Sequence, residues 1–146
     1  MMTLAEYWQL AGKPAARPMN RTRWRAGWRV IGGKRNYYRS RWEANYARYL
    51  EFLKRMGVIL EWRHEPRTFW FNGIRRGTCS YLPDFEVSYP SGKMVYHEVK
   101  GYFDPKSKTK LKRMAKYHPD VAVRLIGARQ YADIRRKLAA AIPGWE

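Results

Sequence analysis

The chain has 146 residues, enough for one compact domain with a core of its own and too few for two. Its formal net charge of +18 makes a polyanion the expected partner, nucleic acid first and an anionic membrane surface second. The lack of any run of about 18 apolar residues argues against a spanning helix. The start lacks the layout of a secretion signal, and the single cysteine, Cys79, with three scattered histidines argues against a disulfide or a zinc site, so the chain reads as cytoplasmic.

Residues 3–11 have helix-compatible apolar spacing and Gly12 to stop them, which predicts a short helix. From residue 13 to 39 no acid occurs, while Arg21, Arg23, Arg25, Arg29, Lys34, Arg35 and Arg39 are interleaved with Trp24, Trp28, Tyr37 and Tyr38. That mixture suits phosphate contact plus stacking on exposed bases. It is equally what a pair of core tryptophans with solvated arginine neighbours looks like, and an Arg-rich start is also a feature of organelle transit peptides.

Residues 40–56 form the strongest helical pattern, with Trp42, Tyr46, Tyr49, Leu50, Leu53 and Met56 on one stripe, Arg41 near the start and Gly57 as the stop. Glu43 has two readings. Three residues after Ser40 it completes a capping box, and on the face of Ala47 and Leu50 it borders the side that packs on a sheet. A first strand is expected over 58–62 and an extension over 68–72, followed by a turn over 72–77 that carries Arg75 and Arg76.

Next come two strand-like runs around Tyr-Pro-Ser-Gly-Lys at 89–93, which read as a β-hairpin. Glu98 and Lys100 are two apart and leave the same face. With Pro90, Ser91 and Gly92 as the loop, Asp84 falls opposite Glu98; a two-residue turn would pair it with Val99 and scatter the set. Two carboxylates held together favour a hard divalent cation, magnesium or manganese, although a surface hairpin with cross-strand charge pairs has the same composition.

Asp104-Pro105 opens another helix, dense in Lys106, Lys108, Lys110, Lys112, Arg113 and Lys116. A run of charges is usually a solvated helix face, but no acid lies between 106 and 119 to pair with these within the helix, which favours phosphate contact. A short strand over 121–126 and a helix over 129–141 complete an α/β pattern, a mixed central sheet flanked by helices.

Pro83-Asp84, then Glu98-Val99-Lys100, behind a helix bearing Glu43, resembles the PD-(D/E)xK nuclease signature. The runs Tyr-Arg-Ser-Arg-Trp-Glu at 38–43, Met-Gly-Val-Ile-Leu-Glu-Trp at 56–62, Leu-Pro-Asp-Phe at 82–85, Glu-Val-Lys-Gly at 98–101 and His-Pro-Asp-Val-Ala-Val-Arg at 118–124 are similar, in order and spacing, to the phage endonuclease I family. Its members resolve four-way DNA junctions and cut branched DNA. The likeness spans about residues 37–127. It extends, less closely, to archaeal Holliday junction resolvases and transposase-associated nucleases. It implies a restriction-endonuclease-like core (αβββαβ) over 37–146 behind a basic arm over 1–36. It also implies catalytic Glu43, Asp84, Glu98 and Lys100. Magnesium, with manganese as a substitute, would be held by Asp84, Glu98, the Val99 carbonyl and Glu43. Lys100 would orient the attacking water, and the partners would be branched DNA and a second copy in a homodimer. Two other functions fit the same residues: a nicking or transposition-linked nuclease on linear duplex, and a non-catalytic nucleic-acid-binding protein.

Overall fold

The computed structural model describes residues 25–146, so the expected helix over 3–11 and the expected contacts of Arg21, Arg23 and Trp24 lie outside the described residues. The described chain begins with a hairpin of β1 (Gly27–Ile31) and β2 (Lys34–Tyr38). Gly32 and Gly33 turn it with φ of +60° and +75°, and two positive φ values in a two-residue loop give the turn whose twist matches paired strands. The expected boundary at 36/37 therefore falls inside β2, and the basic stretch is no free arm from Gly27 onward: Ile31 and Tyr38 are buried in the core.

Helix α1 (Arg41–Arg55) follows directly, capped by Ser40, whose Oγ accepts the Glu43 N–H at 3.1 Å. The cap is worth about 1 kcal/mol, whereas burying side chains such as Tyr46 and Leu50 contributes about 1.5–3 kcal/mol each, so packing rather than capping holds α1 in place. Met56, expected on the apolar stripe, is exposed beyond the helix end.

After α1 come β3 (Glu61–His64), the short β4 (Phe69–Trp70) and β5 (Ser80–Tyr81), then β6 (Phe85–Ser88) and β7 (Met94–Val99). Helix α2 (Pro105–Tyr117), β8 (Val123–Ile126) and helix α3 (Ala128–Leu138) complete the order. The first strand is displaced from the expected 58–62. Val58 and Leu60 are exposed and only Ile59 of that apolar run is buried, whereas Trp62 turns inward and pairs with Val87. Four strands form one mixed sheet in the order β3-β6-β7-β8, antiparallel except for the β7–β8 pair. Strands β4 and β5 pair separately and close the turn between them.

Strand alternation divides the core. Trp62, Phe85, Val87 and Ile126 pack with Tyr46 and Leu50 of α1 and Tyr131 of α3 on one face. Tyr96 and Leu125 pack with Leu111 and Met114 of α2 and with Phe69, Phe71 and Tyr81 on the other. The chain is thus α/β with helices on both sides of a mixed sheet, and no helix among the described residues is long and apolar enough to cross a membrane.

A second anchor joins the two ends of the described chain. Glu146 accepts Arg29 at 2.6 Å and Arg48 at 2.8 Å, and its main chain exchanges hydrogen bonds with Asn45. The Arg29 hydrogen bond, outweighing partial burial, holds the Glu146 carboxyl at about 2 against an ordinary 4.5. A depressed acid stabilises the fold above its unfolded value and loses that contribution as pH falls toward the folded one. The melting midpoint should therefore drop between about pH 4.5 and 2, and thermal melts of Glu146→Gln should show a shallower drop across that window.

Candidate active site

The β6–β7 register is the one the three-residue loop requires: Phe85 faces His97, which sets Asp84 beside Glu98. The two are interlocked. The Asp84 N–H donates to Glu98 Oε2 at 3.3 Å, and the Val99 N–H donates to Asp84 Oδ2 at 2.8 Å. Tyr81, delivered by β5, donates its hydroxyl to the same Glu98 Oε2 at 2.8 Å. A strand residue's N–H and C=O point to the same neighbour, so the Val99 carbonyl also leaves β7 on the Asp84 side. Lys100 leaves the face of Glu98, its N–H tied to Ile126 O at 3.0 Å in continuation of the β7–β8 ladder.

Burial is the main force on both acids. It raises Asp84 well above its ordinary 3.8, helped by the charges of Glu98 and Glu43 and opposed by the Val99 N–H and Lys100. Burial likewise raises Glu98, against the pull of Lys100, the Tyr81 hydroxyl, the Asp84 N–H and Lys110 on α2. Two carboxylates so placed hold a proton more tightly than they would in water, and a cation between them would relieve the same strain. Their donors are all oxygen, which suits a hard cation such as magnesium or manganese.

Glu43 reaches this end of the sheet from the other side and is held differently. Its Oε2 accepts the Arg39 N–H at 2.9 Å, next to the Ser40 cap, and its Oε1 meets His64 Nε2 at 2.6 Å. The Ser40 half of the expected capping box is present, but Glu43 returns its bond to the Arg39 N–H, one residue before the cap, and the burial expected of a site residue is found in the same side chain. Among the described residues, the set of metal-binding side chains whose ligand atoms all lie within 4.8 Å of one another is Glu43, His64 and Glu65. Glu65 is in turn paired with Arg39 at 2.9 Å, and its N–H donates to the Asp84 carbonyl at 2.8 Å. Asp84 and Glu98 form one pair, and Glu43 sits in a contiguous second group whose charge Asp84 feels. His64, Glu65 and Tyr81 were not read as site residues. His64 would have been found by alternation from Trp62 had the first strand been set at Glu61–His64.

The expected DNA-contacting cations separate into two groups. Arg29, with a side chain only 14% exposed, is spent on Glu146. Lys34 bonds Glu61 and the Trp62 carbonyl and lies over the Trp62 ring, and Arg113 donates to the Thr78 carbonyl. These three are engaged within the fold. Arg25, Arg35, Arg75, Arg76, Lys106 and Lys112 are exposed, Arg41, Lys108 and Lys110 are half-buried, and Arg39 is exposed while bridging Glu65. No protein-family model matches the chain, and no curated protein does.

Proposed function

We propose that the chain is a metal-dependent, structure-selective DNA endonuclease that resolves four-way junctions and cuts branched DNA. The observation that carries this reading is the interlocked Asp84–Glu98 pair at the end of β6 and β7, with Lys100 leaving the face of Glu98. A surface that only bound DNA would gain nothing from a buried Glu98 and a half-buried Asp84 repelling each other beside its cations. The order α1, β3, β6, β7, α2, β8 agrees with a restriction-endonuclease-like core (αβββαβ).

Asp84, Glu98 and the Val99 carbonyl would hold magnesium, and when bound the ion lowers the pKa of water and neutralises charge on the phosphate. The chain's own residues do the positioning. Tyr81 and the Asp84 N–H fix Glu98 Oε2, and the Val99 N–H orients Asp84. Lys100 brings a positive charge to the same patch, where it orients the attacking water and counters charge developing on the phosphorus oxygens. Water attacks in line, the P–O3′ bond breaks, and the products are a 3′ hydroxyl and a 5′ phosphate. Two copies about a twofold axis would supply the paired nicks that resolution needs. A cytoplasmic setting fits a reaction on intracellular DNA.

A labelled four-way junction and a linear duplex of equal length, each incubated with magnesium or with EDTA, test the reading. The expected outcome is magnesium-dependent nicking confined to the junction, with binding that survives EDTA and weakens steeply with salt. Equal cutting of both substrates would replace it with a nicking or transposition-linked nuclease on linear duplex. Binding without cutting would leave a non-catalytic DNA-binding protein.

A further inference from the structure

The β1–β2 hairpin has one face seated in the fold and one face exposed. Inward, Ile31 and Tyr38 enter the core and Arg29 is clamped by Glu146, so the ribbon is fixed rather than free to lie flat. Outward, Trp28 is 59% exposed, Val30 67% and Tyr37 46%, and the register sets Trp28 opposite Tyr37 and Val30 opposite Arg35. The two rings meet edge to face at 5.6 Å, and the Arg35 guanidinium stands 4.4 Å from the Trp28 ring centre. Exposing a tryptophan, a valine and a tyrosine side by side costs hydrophobic stabilisation that a fixed surface recovers only by binding something.

What that something is follows from charge and position. Arg35, Tyr37 and Arg39 alternate on the outward row, none of the outward residues named is acidic, and the chain carries +18. From Tyr37 to Arg39 is about 7 Å of strand. Arg39 bridges Glu65, whose N–H is bonded to Asp84, so the aromatic row runs directly into the candidate active site. An intact duplex buries its base faces in the stack and offers such a row only phosphates and groove edges. A branch point exposes the faces of the terminal base pairs and concentrates phosphates around them, which suits ring and guanidinium together.

We infer that the outward face of this ribbon is the branch-point reader of the enzyme: Trp28 and Tyr37 stack on base-pair ends exposed at a DNA junction while Arg35 contacts the converging phosphates. The inference rests on the proposed endonuclease function and names the substrate feature that its site takes.

The test is binding in EDTA, in an Asp84→Asn background, to a four-way junction with 2-aminopurine at the branch and to a linear duplex of equal length. Because no cutting is measured, the result does not depend on the catalytic assignment. The double variant Trp28→Ala/Tyr37→Ala should bind the junction about tenfold or more weakly, as expected for a lost base–aromatic stack, with linear-duplex affinity unchanged and the 2-aminopurine signal altered. Trp28→Phe should restore most of the junction affinity. Both side chains are exposed, so circular dichroism should show an unchanged fold. Parallel loss on both substrates, or junction affinity untouched by the double variant, overturns the ribbon inference alone. Unchanged affinity together with a shift from dimer to monomer in sedimentation would assign the face to a second copy and equally overturn it. Equal binding of junction and duplex by the Asp84→Asn chain would sink the junction reading itself, and the ribbon inference with it.

Discussion

Asp84→Asn is expected to abolish nicking, by about 10³-fold or more, while melting several degrees higher than the unsubstituted chain in metal-free buffer. The two effects share one cause. Asp84 is raised by burial and by the charges of Glu98 and Glu43, so ionising it in the fold costs more than ionising it in the unfolded chain. Asparagine keeps an oxygen for the Val99 N–H and removes the charge. The sign of the pH dependence follows. A raised acid binds its proton more tightly folded than unfolded, so the unsubstituted chain loses stability as pH climbs above Asp84's ordinary 3.8. The advantage of Asp84→Asn should therefore vanish near pH 4 and grow toward neutrality. Magnesium should reverse the ranking, because an ion that binds only the folded, acidic pair stabilises it by mass action. Thermal melts of both proteins at pH 4 and pH 7.5, with magnesium and with EDTA, read all of this without a substrate. A lower melting point for Asp84→Asn at pH 7.5 in EDTA, or lost junction affinity, would make Asp84 a structural residue.

That pair could be read from the sequence because period-two alternation and turn length act locally. Once Pro90, Ser91 and Gly92 are the loop, Asp84 has no neighbour toward β7 other than Glu98, and this is the register found. Helix α1 was legible for a similar reason, since Ser40, the apolar spacing and Gly57 all lie within one window. Other features were hidden by competing signals. In residues 25–39 the abundance of arginine outweighed the plainer message of Gly32-Gly33 between alternating Trp28, Val30, Arg35 and Tyr37, which is a hairpin. The apolar run Val58-Ile59-Leu60 drew the first strand three residues too early, and with it went His64. Bonds across the chain left no local trace at all. Arg29 reaches Glu146, 117 positions away, so its charge is neutralised by a partner that no periodicity reveals. The same holds for Arg113, whose carbonyl partner belongs to the loop over 71–79. Composition leads to the expectation of DNA binding, but only packing shows that Arg29, Lys34 and Arg113 are engaged within the fold.

Glu43 carries the second large expectation, because its two oxygens separate two roles. Through Oε2 it accepts the Arg39 N–H beside the Ser40 cap, and through its charge it acts on Asp84. Ser40→Ala removes the hydroxyl that accepts the Glu43 N–H and should cost about 1 kcal/mol of stability, with nicking below the melting range changed by no more than about twofold. Glu43→Gln keeps an oxygen for Arg39 and an amide group to face His64, but removes the negative charge. Its melting point should move less than that of Ser40→Ala, and its nicking rate should fall by about 10²-fold. The contrast decides the role, since a residue that only caps a helix would rank the two variants the other way. If both variants lose nicking in proportion to stability, Glu43 is part of the α1 start and the acidic site consists of Asp84 and Glu98 alone. If nicking by Glu43→Gln is restored by manganese but not by magnesium, the missing carboxylate acts on the metal rather than on the helix.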